Sequence, residues 1–265
     1  MPKIKTREHD KKITTLRLPL KNIFVENKEC QLELVINITR NNFKSHMHDI
    51  VGHIELPKNY PETKFAKILK KEEENKVLFL SLRTGNDKDY MSKYFESKKD
   101  YFLWSANDPV EIIFLFAFYV RTRAYTDIAT AEEVDAMRGL GKLALQKTLL
   151  FAKKEGLFCK NKKTFLVAEA SGGDVKDCIF EKYKKYDKNV LGNILDTQYP
   201  EALYYYSHDS VESMAELLAT IEENAKLVEY YQSNYGFKVM QRSLCTGVLI
   251  GAPLENVINC TFLEK

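Results

Sequence analysis

The stretch Val110-Glu-Ile-Ile-Phe-Leu-Phe-Ala-Phe-Tyr-Val120 decides the fold class of this chain. It is apolar at almost every position, which is typical of a strand covered on both faces. Further along, Arg138-Gly139-Leu140-Gly141 opens a stretch to Lys154 in which the apolar residues recur at helical spacing. A buried strand followed by a glycine turn and an amphipathic helix predicts an α/β fold.

Strands and helices alternate along the rest of the chain. The patterns predict strands at 13–25, 31–39, 77–82, 101–104, 164–168, 237–241 and 257–262. They predict helices at 42–51, with Asn42 as the N-cap, at 62–75, at 176–186 and from Asp209 to about residue 233, with one helical turn at 131–137. In the last helix, Asp209 and Glu212 form a capping-box pattern. Residues 189–207 read as irregular and rich in tyrosine.

Composition narrows the function classes. Lys plus Arg number 40 and Asp plus Glu 37, and this balance argues against a dedicated nucleic-acid-binding protein. The longest apolar stretch, Ile112 to Val120, is far too short to span a bilayer, and the charged N-terminus lacks the apolar run of a secretory signal. Five cysteines without a CxxC pair suggest free thiols in a reducing compartment. We therefore expect a cytoplasmic protein without membrane or nucleic-acid partners.

The glycine turn has the chemistry of an anion site. The first turn of a helix carries unpaired N–H groups and a positive dipole end, and glycine lets a phosphate approach the backbone. Arg138 and Lys142 flank the turn and add positive charge. The turn lacks the third glycine of a dinucleotide fingerprint and the Gly-Lys-Ser/Thr ending of a P-loop. A tight turn without a ligand is the alternative interpretation.

The stretch Met137-Arg138-Gly139-Leu140-Gly141-Lys142 resembles the acetyl-CoA loop of the GNAT family of N-acetyltransferases, Gln/Arg-x-x-Gly-x-Gly/Ala. Gly139 and Gly141 fall on its small positions, whereas Ala136 stands at the leading Gln/Arg position and departs from the pattern. The resemblance implies that Met137, Arg138, Gly139, Leu140, Gly141 and Lys142 bind the cofactor pyrophosphate. It also implies that the backbone of Val120, Arg121 and Thr122 pairs with the pantetheine amides of acetyl-CoA.

A second stretch, Lys226-Leu-Val-Glu-Tyr230-Tyr231-Gln-Ser-Asn-Tyr-Gly236-Phe237, is similar to the GNAT helix that carries a tyrosine and ends in Gly-Phe. In that family the tyrosine protonates the departing CoA thiolate, a role that suits a phenol with an ordinary pKa of about 10. The resemblance assigns this role to Tyr231, with Tyr230 as the competitor. Tyrosines on helices also pack without reacting, and that structural role is the alternative for both.

An amine nucleophile must lose a proton before it attacks a thioester, so a carboxylate base would help. Glu169, at the end of the strand 164–168, is the first candidate and Glu111 the second; each would otherwise be an ordinary solvated carboxylate. On a helix that Pro57 and Pro61 end, His46 and His53 are seven residues apart and share a face, but His48 does not join them. No acidic ligand completes a set with them, and we expect no metal site.

Together these patterns predict an α/β, GNAT-like mixed central sheet flanked by helices, with an N-terminal extension and a long insertion before the last helix. Residues 1–12 form a flexible N-terminus and 13–265 a single domain, in which 170–222 has no family counterpart and is the insertion. The expected activity is acetyl transfer from acetyl-CoA to a primary amine, on a small molecule or a protein; a homodimer is left open. The alternatives are a non-catalytic GNAT-fold protein and an unrelated α/β nucleotide-binding protein.

Overall fold

The computed structural model describes residues 12–40, 48–72, 75–84, 110–120, 128–158, 161–171, 177–200, 210–243 and 247–260. These residues fall into two compact units. The first unit holds the described residues up to Thr164, and the second holds those from Phe165 onward. Both units combine helices with strands, and the strand pairings within them are antiparallel.

In its described residues, the first unit is built on strands that pair in chain order: β1 (Lys12–Val25), β2 (Lys28–Arg40), β3 (His48–Glu55), β4 (Lys76–Thr84) and β5 (Val110–Val120). Glu26 and Asn27 both take positive φ, as a two-residue turn of the hairpin β1–β2 requires. The described part of this unit also contains the helices α1 (Lys64–Glu72), α2 (Ala131–Ala136) and α3 (Leu140–Lys154).

Helix α3 packs across strands β2 to β5. The core of the unit consists of isoleucine and leucine side chains that are fully buried on these strands, among them Ile36, Ile50 and Leu80. At Gly52 the helix comes so close that an added Cβ would lie 3.0 Å from the Thr148 hydroxyl. The position of α3, which starts at the glycine turn, is therefore fixed by tight packing on the sheet.

The second unit contains three strands and four helices in its described part. The strands are β6 (Lys163–Ala170, which begins at the unit boundary), β7 (Lys238–Ser243) and β8 (Gly247–Pro253), and β8 lies between the other two. The helices are α4 (Asp177–Lys184), α5 (Lys188–Gln198), α6 (Val211–Tyr235) and α7 (Leu254–Asn259). Apolar side chains of α5 and α6 form one buried cluster, around Leu191 and Leu218.

Most predicted elements are confirmed with small shifts of their ends. This holds for the strands at 13–25, 31–39, 77–82, 110–120, 164–168 and 237–241, and for the helices at 62–75, 131–137, 141–154, 176–186 and 209–233. The long helix α6 is capped by Ser210, whose hydroxyl accepts from the Ser213 N–H. The cap predicted at Asn42 and the strand predicted at 101–104 lie outside the described residues. The capping box expected at Asp209 and Glu212 is wrong, because the N-cap of α6 is Ser210.

The helix expected at 42–51 is wrong where the structure describes it, because β3 occupies 48–55. There Ile50, Gly52 and Ile54 are buried while the residues between them are more exposed, which is the alternation of a strand. Since His53 stands on a strand, the helical face that it was expected to share with His46 does not exist.

Three further predictions are wrong. The closing strand was expected at 257–262, but the closing strand is β8, at 247–253. Residues 257–259 belong instead to the end of α7, in which Leu254 and Val257 share one buried face. Residues 189–198 of the stretch 189–207, which was predicted to be irregular, belong to α5, and the Asp187 side chain caps this helix by accepting from two backbone N–H groups. Strand β5 is not covered on both faces along its whole length, because Phe116 is 47% exposed and Tyr119 is 38% exposed.

Of the helices in the described residues, none has the length and apolar character that crossing a membrane demands.

Candidate functional site

The glycine turn joins the end of α2 to the start of α3 in the first unit. Gly139 is the N-cap of α3 and takes φ 76°, a left-handed conformation that favours glycine. The turn is closed by backbone bonds from Arg138 N–H to the Asp135 carbonyl (3.1 Å) and from Leu140 N–H to the Met137 carbonyl (3.3 Å). The N–H groups of Gly141 and Lys142 come next in the first turn of α3, where helices bind anions.

Gly141 lies against the end of β5. An added Cβ at Gly141 would stand 3.1 Å from both Phe118 Cζ and Val120 Cγ2. The glycine therefore allows α3 to begin directly beside the last residue of the apolar strand. The structure thus brings together Val120 and the glycine turn, two parts of the expected cofactor site; Arg121 and Thr122 lie outside the described residues.

The charges around the turn differ from the expected arrangement. Arg138 is exposed, and its guanidinium forms an ion pair with Asp135. Lys142 and Met137 are buried, and so is Leu140. A cation that the sequence did not suggest is Lys21 of β1, whose Nζ donates to the Arg138 carbonyl at 3.3 Å. Burial lowers the pKa of Lys21, because desolvation disfavours the ammonium form.

Tyr231 and Glu169 belong to the second unit. Helix α6 ends at Gly236, which takes φ 68° and caps the helix through a bond from its N–H to the Gln232 carbonyl. The expected Gly-Phe helix end is therefore present, and Phe237 is buried at the entry to β7. Tyr231 is only 7% exposed.

The ring of Tyr231 sits in an aromatic cluster with Tyr230, Tyr235 and Phe237, at centroid distances of 5.4 to 5.9 Å. The hydroxyl of Tyr230 lies 3.5 Å from that of Tyr235, which is fully buried. Such packing fixes the orientation of the rings. The packing therefore holds the phenol of Tyr231 in place. The same packing is expected for a tyrosine whose role is only structural.

Glu169 is the second-to-last residue of β6, and it pairs with Leu249 of β8. Its side chain lies over Gly247, where an added Cβ would be 2.7 Å from Oε1. The residue is exposed on one side, yet partial burial of the carboxyl raises its pKa. A raised pKa makes a carboxylate a better proton acceptor near neutral pH.

Gly247→Ala is expected to destabilise the second unit by about 1–3 kcal/mol, because φ 139° strains any residue with a Cβ and the new methyl meets the Glu169 side chain. Gly192→Ala is the matched control: it lies inside α5 with nothing within 4 Å of an added Cβ, and should gain up to about 1 kcal/mol from helix propensity. Urea unfolding measures both. In the double variant Glu169→Ala/Gly247→Ala, the new methyl no longer meets the Glu169 side chain, so the part of the stability loss that comes from this contact should be recovered. If Gly247→Ala alone keeps full stability, the described geometry of Gly247 is contradicted.

The other sequence candidates have structural partners. Glu111 is buried, and its carboxylate accepts from the Thr164 hydroxyl at 3.4 Å. His53 Nε2 lies 3.1 Å from Glu55, and burial lowers the pKa of His53 despite that carboxylate. Within the part of the chain that the structure describes, no three His, Cys, Asp or Glu side chains are grouped to hold a metal ion.

Sequence reasoning missed Lys21 and also Glu133, a fully buried carboxylate in α2. Nothing in the sequence placed Lys21 near residue 138, since the two are 117 residues apart. Glu133 did carry a signal, because Thr130-Ala-Glu-Glu133 is a capping-box pattern. The structure contains that box, with both of its hydrogen bonds.

Compared with protein-family models, with curated proteins and with solved structures, the chain matches none.

Proposed function

We propose that this chain is an acetyl-CoA-dependent N-acetyltransferase of the GNAT type, with a GNAT-like sheet. The observation that carries the proposal is the contact between Val120 and Gly141, through which the apolar strand β5 ends beside the turn that opens α3. A phosphate group bound at that turn would meet the first N–H groups of α3, and the rest of an extended cofactor would run along the end of β5.

The order of elements along the chain supports the proposal. Strand β5, the glycine turn, α3 and β6 are followed by α6, which ends in Gly236-Phe237, and by β7. This is the order that the resemblance to the GNAT family implies. The helices α4 and α5, within the stretch without a family counterpart, pack with α6. We propose that this stretch shapes access for the acceptor.

The proposed reaction is a direct attack. The nitrogen of a primary amine adds to the thioester carbon of acetyl-CoA, the tetrahedral intermediate collapses, and the C–S bond breaks. Glu169 takes the proton that the amine loses, and its raised pKa supports this assignment. Tyr231 donates its hydroxyl proton to the thiolate, and the aromatic cluster keeps its ring in one orientation.

A second candidate is a protein of the same type that binds CoA without turnover. The low exposure of Tyr231 favours it, because a buried tyrosine among three aromatic rings is also what packing alone would produce. The Ala136 departure from the loop pattern points the same way.

Titration calorimetry with acetyl-CoA tests the proposal, followed by a panel of primary amines with detection of the released CoA thiol. Micromolar binding and thiol release that depends on one amine support the acetyltransferase. Binding without turnover across the panel favours the non-catalytic candidate. If ATP competes with CoA, or CoA does not bind, the turn serves another anion or none, and the proposal is wrong.

Lys21→Ala is expected to weaken CoA binding about tenfold, because a cation beside the turn would contribute roughly 1.4 kcal/mol to phosphate binding. Lys28→Ala is the matched control: it removes the same charge from the exposed start of β2. Titrations at two salt concentrations should show a shallower salt dependence for Lys21→Ala only, since screening acts on the lost contact. Equal effects of the two variants would show that only net charge matters.

A further inference from the structure

Glu133 is a carboxylate with no exposure to solvent on the six-residue helix α2. Its Oε1 accepts from the Tyr60 hydroxyl at 3.0 Å and from the Thr63 hydroxyl at 2.6 Å, and its Oε2 accepts from the Thr130 N–H at 2.8 Å. Among the described residues, all donors to this carboxylate are neutral. A buried acid is tolerated only when such donors replace its water shell.

The bonds of Glu133 join α2 to a distant part of the first unit. Thr63 also caps α1, because its hydroxyl accepts from the Ala66 N–H at 3.1 Å. Tyr60 is itself buried, and its pKa is raised well above its usual range by burial and by the Glu133 carboxylate. One side chain therefore ties α2 to residues 60–63 and to the start of α1.

This anchor lies directly before the glycine turn. The Met137 N–H donates to the Glu133 carbonyl at 3.1 Å, and the turn closes on the carbonyls of Asp135 and Met137. A helix of six residues is unstable on its own, so tertiary contacts must hold it. A weaker tie, from the Glu26 N–H to Glu132 Oε2 at 3.3 Å, links the exposed side of α2 to the hairpin β1–β2.

We infer that Glu133 is a positioning residue: held by Tyr60, Thr63 and Thr130, it fixes α2 and so orients the N–H groups of the glycine turn for phosphate. The part that concerns phosphate rests on the proposed function. The part that concerns the turn does not, since it needs only the bonds of Glu133 and the backbone bonds of the turn.

Glu133→Gln tests the inference. The amide keeps the size of the side chain but carries no charge, so the charge-assisted bonds to Tyr60, Thr63 and Thr130 become weaker neutral ones in either orientation of the amide. Hydrogen exchange followed by mass spectrometry should show the amides of 134–143 exchanging about tenfold faster, as expected when these buried hydrogen bonds weaken. The amides of β2 and β3 should keep their rates.

Ile50→Val is the matched control, because it weakens the core of the same unit at a fully buried position of β3. Ile50 pairs with Leu82, and Leu82 with Leu115, five residues before the end of β5 that lies beside the turn. Temperatures are chosen so that both variants are equally far below their melting points. Glu133→Gln should then raise the Kd for CoA about tenfold, and the KM for acetyl-CoA without lowering kcat, while the control leaves them unchanged.

Unchanged exchange at 134–143, or faster exchange spread over the whole unit, overturns the inference. If Glu133→Gln does not fold, Tyr60→Phe removes a single donor and should produce a smaller change in the same amides. If the wild type does not bind CoA, the proposed function fails, and the exchange data still decide whether Glu133 holds the turn.

Discussion

Replacing Gly139 with aspartate is expected to lower the affinity for acetyl-CoA at least about 100-fold. The proposed pyrophosphate site lies at the exposed turn of which Gly139 is the N-cap. A carboxylate about 4 Å from one phosphate charge opposes binding by roughly 4 kcal/mol at the effective dielectric constant of a protein surface. Solvent and salt reduce that figure, and about 2.7 kcal/mol remains enough for 100-fold.

Gly139→Asn is the control that separates the effect of the added negative charge from the effect of the added side chain's size. Asparagine and aspartate have nearly the same size, and both tolerate the left-handed backbone that Gly139 adopts at φ 76°. Both variants should therefore share the same modest loss of stability in a melting curve. Titration calorimetry should find a small loss of affinity for the asparagine variant and near-complete loss for the aspartate variant. Similar affinities for both would place the phosphates elsewhere.

The framework of the fold was predictable because its signals are local. The apolar run of β5, the glycine turn and the amphipathic face of α3 are each visible in a short window of sequence. The helix end at Gly236 was predictable for the same reason, since glycine favours the left-handed conformation found there.

The errors arose where two patterns compete in a short segment. In β3, the apolar residues Ile50, Val51 and Ile54 fit a helical face as well as a strand, and pairing with β2 and β4 decides the outcome. Strand β8 contains two glycines and ends in proline, so its intrinsic strand preference is weak, and its position between β6 and β7 determines it.

The candidate site was predictable only as far as it is continuous in sequence. The turn and the tyrosine helix each lie in one short stretch, whereas the partners of the turn come from far along the chain. Lys21 reaches it from β1, and Tyr60 and Thr63 hold Glu133 from the segment before α1. Such contacts depend on tertiary packing, which no local pattern records.

Tyr231→Phe is expected to lower kcat by about 100-fold or more while leaving the Kd for acetyl-CoA within about twofold. A general acid contributes roughly 10²–10⁴-fold to a rate, and phenylalanine lacks the proton that the thiolate needs. The ring remains, so its contacts with Tyr230, Tyr235 and Phe237 are kept and the fold should persist. The measurement is thiol release with an amine acceptor found in the panel, at saturating acetyl-CoA.

Tyr230→Phe is the matched control, because it removes a hydroxyl from the neighbouring residue of the same helix. Its hydroxyl faces that of Tyr235 at 3.5 Å, so its loss should cost a little stability and leave kcat unchanged. A fall in kcat for Tyr230→Phe alone would transfer the acid role to that residue. If both variants keep full turnover, the cluster serves packing only, and the thiolate leaves without a protein acid. Because each variant removes one oxygen atom from the same aromatic cluster, a difference between them reports the chemistry of that hydroxyl rather than a change in packing.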